Sequence, residues 1–123
     1  MSRAPADIGP PGSPLPVRVA EQFADAMFAL STPSRVQILR VLMGGPCGVG
    51  ELVSILGMEQ SAVSHQLRVL REHSLIRAER AGRRRTYALS DDGVPALIEA
   101  ALSHIEQHVD PLRGEAGHIA RLA

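Results

Sequence analysis

The segment from Glu59 to about His73 constrains the fold more than any other part of the sequence. Its apolar residues Val63, Leu67 and Leu70 recur at steps of four and three, which places them on one face of an α-helix. Polar side chains gather on the opposite face. A helix with this pattern must bury its apolar stripe against neighbouring elements, and its polar face is left for solvent or a ligand.

Three helices are predicted before this segment. The first begins at Val17, and Thr32 followed by Pro33 is a typical start for the second. The short third helix is predicted to stop at Gly57, because glycine is favoured just past a helix end. The apolar residues of the first helix are Ala20, Phe23, Ala24, Met27 and Leu30. Two short helices joined by a glycine turn indicate a helix-turn-helix.

A β-hairpin and a last helix are predicted after it. The stretch LIRAERAGRRRTYALS alternates in polarity around Gly82, which is typical of two strands forming a wing. Ser90 or Asp91 is expected to cap the last helix. The apolar residues of that helix are Val94, Leu97, Ile98, Ala101, Leu102 and Ile105. The predicted fold is mainly α with a two-stranded β wing, a winged helix-turn-helix of order α-α-α-α-β-β-α. Its first and last helices carry excess apolar surface, which predicts a homodimer through them.

The domain boundaries follow from composition. Residues 1–16 are rich in proline and glycine and are predicted to form a disordered tail. Residues 17–110 are expected to form the DNA-binding and dimerisation domain, and residues 111–123 a flexible C-terminal tail. No apolar run approaches the roughly 18 residues of a membrane helix. We therefore expect a cytoplasmic protein with no membrane partner, in which the single Cys47 is a structural thiol.

Charge is unevenly distributed along the chain. The formal net charge is zero, with 13 basic and 13 acidic residues, and every basic residue is arginine. Between residues 60 and 85, however, the sequence contains seven arginines and only two glutamates, which gives a local charge of +5. A basic stripe of this kind is typical of a protein that contacts the phosphate backbone of double-stranded DNA.

The candidate DNA-contacting residues fall into two groups. The helix group is Gln60, Ser61, Ser64, His65 and Arg68. The wing group is Arg83, Arg84 and Arg85. A helix in the major groove presents short polar and bidentate side chains to base edges, and basic groups to phosphates. A basic wing tip adds affinity and salt dependence by contacting phosphates or the minor groove. Each feature taken singly is also typical of a solvated surface, but their combined order favours DNA binding.

Two other classes of protein are alternatives to a DNA-binding protein. An enzyme is disfavoured, because no nucleophile motif, phosphate-binding glycine loop or His-Glu-x-x-His signature is present. A purely structural dimerisation module is the other alternative. Such a module should show neither salt-dependent retention on heparin nor a gel shift with promoter DNA.

Three strings carry a resemblance to a known family. They are ALSTPSRVQILRVL, ELVSILGMEQSAVSHQLRVLREHSLI and the wing RAGRRRTYALSDDGV. The segment from Phe23 to His108 resembles the ArsR/SmtB family of metal-responsive regulators, and most resembles its nickel- and cobalt-sensing branch in actinobacteria. The resemblance implies a homodimeric winged helix, joined through its first and last helices, that binds an imperfect palindrome and leaves it when metal binds.

The same resemblance implies where a metal would bind. Gly48 and Gly50 stand where one family site has a Cys-x-Cys pair, so thiolate sensing of soft metals is excluded. The other family site lies on the last helix, where Asp91 and His104 match but Gly93 and Gln107 replace two expected histidines. The predicted ligands of a divalent nickel, cobalt or zinc ion are Asp91, His104 and His108, with Asp92, Glu106 or His118 as additional candidates.

Two hypotheses about regulation stay open. In the first, metal at the last-helix interface shifts the dimer between states with different DNA affinity, so the protein is a repressor linked to transition-metal homeostasis. In the second, the metal site has decayed. A separate metal-sensing protein partner would then supply responsiveness, or the chain would be an activator. His108 continues the stripe of Ala101 and Ile105, so it also fits a plain interface residue, and the chain has no histidine before His65.

Overall fold

A computed structural model of the protein describes residues 8–108. Within these residues, five helices and one antiparallel two-stranded sheet follow the predicted order. The elements are α1 (Val17–Ala29), α2 (Pro33–Leu42), α3 (Val49–Leu56), α4 (Gln60–Glu72), β1 (Ile76–Ala81), β2 (Arg84–Leu89) and α5 (Gly93–Glu106). The predicted fold class, a winged helix-turn-helix, is confirmed by this arrangement.

The core lies between α2, α3, α4 and the wing. The predicted stripe of α4, formed by Val63, Leu67 and Leu70, is buried. It packs in one cluster with Leu39 of α2 and Leu52 of α3, both fully buried. Burying these side chains fixes the rotation of α4 about its own axis, because only one face can meet the core. The opposite face of α4 is thereby directed outward.

Truncating a core side chain should destabilise the fold strongly. Leu39→Ala is expected to lower the free energy of unfolding by about 2–5 kcal/mol, because it removes a fully buried side chain and leaves a cavity. Ile55→Ala is the matched control: Ile55 is 59% exposed, and its loss should cost less than about 0.5 kcal/mol. Urea unfolding at one fixed protein concentration measures both. Equal midpoints for the two variants would contradict this description of the core.

The wing is joined to the start of the helix-turn-helix. Ile76 pairs with Leu89 and Ala78 with Tyr87, which lie on the two strands that the alternating pattern around Gly82 predicts. Gly82 at the bend has φ +65°, a conformation that glycine adopts without penalty. The backbone of Tyr87 also exchanges two hydrogen bonds with that of Cys47, just before α3, at 2.8 and 3.0 Å. This extra bridge sets the position of the wing beside α3.

The last helix begins later than predicted. Its N-cap is Asp92, not Ser90 or Asp91, and α5 starts at Gly93. The side chain of Asp91 still accepts a hydrogen bond from the Gly93 N–H, at 2.9 Å. Asp91, one of the two predicted caps, therefore closes an Asx-type turn just before α5 although the helix begins one residue later than a cap at Asp91 would place it.

Both chain ends are predicted to be tails. Residues 8–16 are exposed and form no helix or strand, although Ser13 closes a turn onto the Pro10 carbonyl. The rest of the N-terminal tail (1–7), the predicted domain end at 110, the C-terminal tail (111–123) and His118 lie outside the described residues. In the part of the chain that the structure describes, no helix is long and apolar enough to cross a membrane.

Candidate nucleic-acid interface

The outer face of α4 carries the first predicted group. A left-handed Gly57 (φ +65°) ends α3, and α4 restarts at Gln60 after a short extended link. The five side chains of this group are all exposed: Gln60, Ser61, Ser64, His65 and Arg68. They share one surface above the buried stripe, so the structure brings together what the spacing predicted. A row of short polar side chains ending in an arginine suits base edges and flanking phosphates.

The N-terminus of α4 adds backbone donors to this surface. The first N–H groups of a helix have no partner within the helix and lie at the positive end of its dipole. The first turn of α4 contains no acidic residue, and the side chain of the N-cap residue, Glu59, accepts no hydrogen bond from these groups. A phosphate placed there would meet the backbone N–H groups together with the Gln60 and Ser61 side chains.

The three wing arginines are exposed but differ in their surroundings. Arg83 lies in the turn beside Gly82, whereas Arg84 and Arg85 begin β2. The Arg84 guanidinium forms an ion pair with Glu51 of α3. The Arg85 guanidinium lies 5.5 Å from the ring centroid of Tyr87. Arg84 therefore ties the wing to α3, and Arg83 is the wing arginine best placed for phosphate.

Glu51 is an anchor that sequence reasoning missed. Its side chain accepts the Gly48 N–H at 2.9 Å, capping α3, while it also holds Arg84. Gly48 itself is buried, and a Cβ added there would lie 3.4 Å from the Arg85 carbonyl oxygen and 3.5 Å from the Arg84 guanidinium. The three-residue spacing between Gly48 and Glu51 is that of a capping box, and this was the available signal.

The different surroundings predict different effects on DNA binding. Arg83→Ala should reduce the slope of log affinity against log salt by about 1.8 for the dimer, because each of its two subunits loses one phosphate contact worth about 0.9. Arg84→Ala should change that slope less, because the Arg84 charge is already paired with Glu51. Fluorescence anisotropy with a random-sequence duplex at several salt concentrations measures both variants. A larger slope change in Arg84→Ala would contradict the pairing.

Within residues 8–108 of one chain, nothing covers the apolar faces of α1 and α5. Phe23 and Phe28 of α1 are 60% and 64% exposed, and Leu97 and Ile105 of α5 are also exposed. Large apolar side chains in such number on two helices are typical of an interface between proteins. These faces lie on the first and last helices, the pair that the sequence predicts to dimerise.

The predicted metal ligands are only partly brought together. His104 and His108 stack with ring centroids 4.4 Å apart, although α5 ends at Glu106 and His108 lies in the following turn. Asp91 lies before the start of α5, roughly 20 Å away at 1.5 Å per residue. A site that uses all three residues therefore requires Asp91 from one subunit and the histidines from another.

The chemistry of the histidine pair suits a metal. The His108 Nδ1 lies 2.8 Å from the His104 carbonyl oxygen, which can only accept a hydrogen bond. In the neutral ring Nδ1 therefore carries the proton, and Nε2 keeps its lone pair for a ligand bond. Backbone carbonyls commonly orient metal-binding histidines in this way. Both side chains are exposed, as are Asp91, Asp92 and Glu106.

A buried arginine on α2 is a further feature that was missed. Arg35 is 7% exposed and hydrogen bonds to both α1 and α4. It lies three, four and seven residues before Ile38, Leu39 and Leu42, all buried. That helical spacing was a signal that Arg35 faces the core.

Comparison with known proteins agrees with this geometry. Residues 32–78 match the family described as "Bacterial regulatory protein, arsR family". The HTH-type transcriptional regulator NmtR of Mycobacterium tuberculosis is 49% identical over 96 residues, covering 78% of this chain and 80% of NmtR. The solution structure of apo-NmtR matches with a TM-score of 0.66 at 44% identity, covering 89% of this chain and 92% of that one.

Two other relatives extend the comparison. The transcriptional repressor SmtB homolog of Synechocystis sp. is 35% identical over 88 residues, covering 72% of this chain and 67% of the relative. A homodimeric winged helix-turn-helix DNA-binding domain from Mycobacterium bovis, a possible ArsR-family regulator, matches with a TM-score of 0.72. Its identity is 26%, with 76% of this chain and 87% of that one covered. Because these relatives are transcriptional regulators, the prediction that the chain is not an enzyme is confirmed. The chain belongs to the ArsR/SmtB family of bacterial winged-helix transcriptional regulators.

Proposed function

We propose that the chain acts in the cytoplasm as a homodimeric repressor that reads operator DNA with α4 and contacts phosphates with its wing. The observation that carries this proposal is the outward face of α4, where Ser61, Ser64, His65 and Arg68 stand exposed above a fully buried stripe. All seven arginines between residues 60 and 85 are exposed and add positive charge around it. The repressor named among the relatives supports the sign of regulation.

Salt dependence distinguishes this proposal from a plain dimerisation module. The wild-type dimer should bind a random-sequence duplex with an affinity that falls linearly on a log-log plot against salt, by about 0.9 per phosphate contacted. A dimerisation module should show no such binding. Anisotropy titrations between low and physiological salt, repeated with an acidic polymer such as heparin as competitor, measure the difference.

We propose further that the two ends of α5 bind a divalent transition metal across the dimer. Asp91 of one subunit with His104 and His108 of the other would hold it, and Asp92 or Glu106 would complete the set. The stacking of the His104 and His108 rings, together with the contact of the His108 Nδ1 with a backbone carbonyl, supports this proposal. Such an ion would link the two subunits. The strength of this link would depend on how the subunits are oriented relative to each other. Metal and DNA binding would then be coupled.

Calorimetric titration of nickel, cobalt and zinc into the apo dimer tests the metal proposal. His104→Ala should weaken binding at least about tenfold, since even residues that only support a ligand cost that much. His73→Ala is the control for loss of a histidine elsewhere, because the His73 Nδ1 faces the Val69 carbonyl at 2.9 Å just past the end of α4, as the His108 Nδ1 faces the His104 carbonyl past the end of α5. Absence of wild-type binding would favour the alternative in which a partner protein supplies metal responsiveness.

A further inference from the structure

Arg35 makes a buried connection between α1 and α4. Its Nε donates to the Ala29 carbonyl at 2.6 Å, and one terminal nitrogen donates to the Phe28 carbonyl at 3.3 Å. The other terminal nitrogen donates to the Gln66 side-chain oxygen at 2.9 Å. Each of the three guanidinium nitrogens therefore has an acceptor, and among residues 8–108 no buried side-chain nitrogen or oxygen lacks a hydrogen-bond partner.

The surroundings of Arg35 explain how its charge is tolerated. The carbonyls that it meets belong to the last turn of α1, where helix carbonyls lack helical partners and carry partial negative charge. The guanidinium carbon also lies 5.9 Å from the ring centroid of Phe28. The planar guanidinium of arginine reaches three acceptors on two helices, and the ammonium of lysine would not replace it here.

The two helices joined by Arg35 have different tasks. α1 presents Phe23 and Phe28 outward, on the face that we assign to the dimer. α4 presents His65 and Arg68 outward, whereas Gln66, next to His65 in the sequence, is half-buried and hydrogen bonds to Arg35. A movement of α1 relative to the partner subunit would therefore be transmitted to α4 through the hydrogen-bonded side chain of Arg35.

We propose that Arg35 is a positioning residue for DNA binding, which sets the orientation of α4 relative to the dimerisation helix α1 through its hydrogen bond to Gln66. This role rests on the proposed function of α4. Without the Arg35–Gln66 hydrogen bond, the stripe of α4 stays buried, but the orientation of α4 relative to α1 is less restricted. The dimer then presents its two α4 helices with less defined spacing, and a palindrome is bound less tightly.

Three variants test the role of Arg35: Gln66→Met, Arg35→Met and the double variant. Methionine keeps the length of the Gln66 side chain and removes its acceptor. Gln37→Met is the matched control, because Gln37 is a half-buried glutamine of α2. Affinity is measured by anisotropy on a duplex that the wild-type protein selects from a random pool, and on an unselected duplex. Sedimentation and circular dichroism report the dimer and the fold.

Gln66→Met is expected to lose about tenfold in affinity for the selected duplex, with the salt slope and the dimer unchanged. The double variant should lose no more than Arg35→Met alone, because the bond between Arg35 and Gln66 is already lost in Arg35→Met. If Arg35→Met does not fold, Gln66→Met alone decides. Wild-type affinity in Gln66→Met, or equal losses in Gln37→Met, would overturn the role of Arg35. A wild-type protein that binds no duplex would instead contradict the proposed function.

Discussion

Replacing Phe23 by glutamate is expected to separate the dimer into monomers and to lower operator affinity by about a hundredfold or more. The Phe23 side chain is 60% exposed in the single chain and lies on the apolar face of α1. Burying a carboxylate without a partner at that interface would cost more free energy than the dimer contact of Phe23 contributes. Two half-sites joined in one dimer gain roughly 10²–10⁴ in affinity over one, and a monomer forfeits that gain.

Ile55→Glu is the control for this prediction. Ile55 is also a large apolar residue, and its exposed fraction of 59% is close to that of Phe23. It lies on α3 and not on α1 or α5. Sedimentation velocity should show a monomer for Phe23→Glu and a dimer for Ile55→Glu, each with wild-type helix content. A Phe23→Glu protein that remains a dimer would show that the subunits meet through some other face.

Changing Ser64, His65 and Arg68 together to alanine is expected to abolish sequence-specific binding. Each good contact to a base edge is worth about 1–3 kcal/mol, so the triple change should cost about a hundredfold or more on the selected duplex. Affinity for an unselected duplex should fall far less, because the wing and the remaining arginines still contact phosphates. All three side chains are exposed, so stability should be unchanged.

Arg40→Ala is the control for loss of an exposed arginine outside the DNA-contacting surface. It should leave both duplex affinities within about twofold, since Arg40 lies on α2 near α5. The ratio of selected to unselected affinity is the decisive quantity. A triple variant that keeps the wild-type ratio would mean that α4 does not read the bases.

Local periodicity predicted most of the fold. The stripe of Val63, Leu67 and Leu70 and the strand pair Ala78–Tyr87 are where their spacing placed them, because burial acts on each element separately. The start of α5 differs from the prediction, because Asp91 accepts the Gly93 N–H from one residue before the N-cap, Asp92. That choice depends on side-chain geometry that no apolar pattern encodes.

Contacts between distant segments were beyond the reach of the sequence. The Cys47–Tyr87 bridge and the Arg84–Glu51 ion pair join residues far apart in the chain, and nothing in either local pattern indicates its partner. Arg35 is an intermediate case, since its spacing placed it on a buried face but gave no acceptor. The candidate metal ligands are split between the two ends of α5, so one chain by itself does not define their site.

The DNA-reading role of the dimer is tested most directly by selection from a random-sequence duplex pool with the purified protein. The proposed architecture predicts enrichment of an imperfect palindrome whose half-sites lie about one helical turn apart, roughly 10–10.5 base pairs centre to centre. The same selection with the Ser64, His65 and Arg68 triple variant should enrich nothing. Failure of the wild-type protein to enrich any sequence, or enrichment of a single half-site without two-fold symmetry, would contradict it.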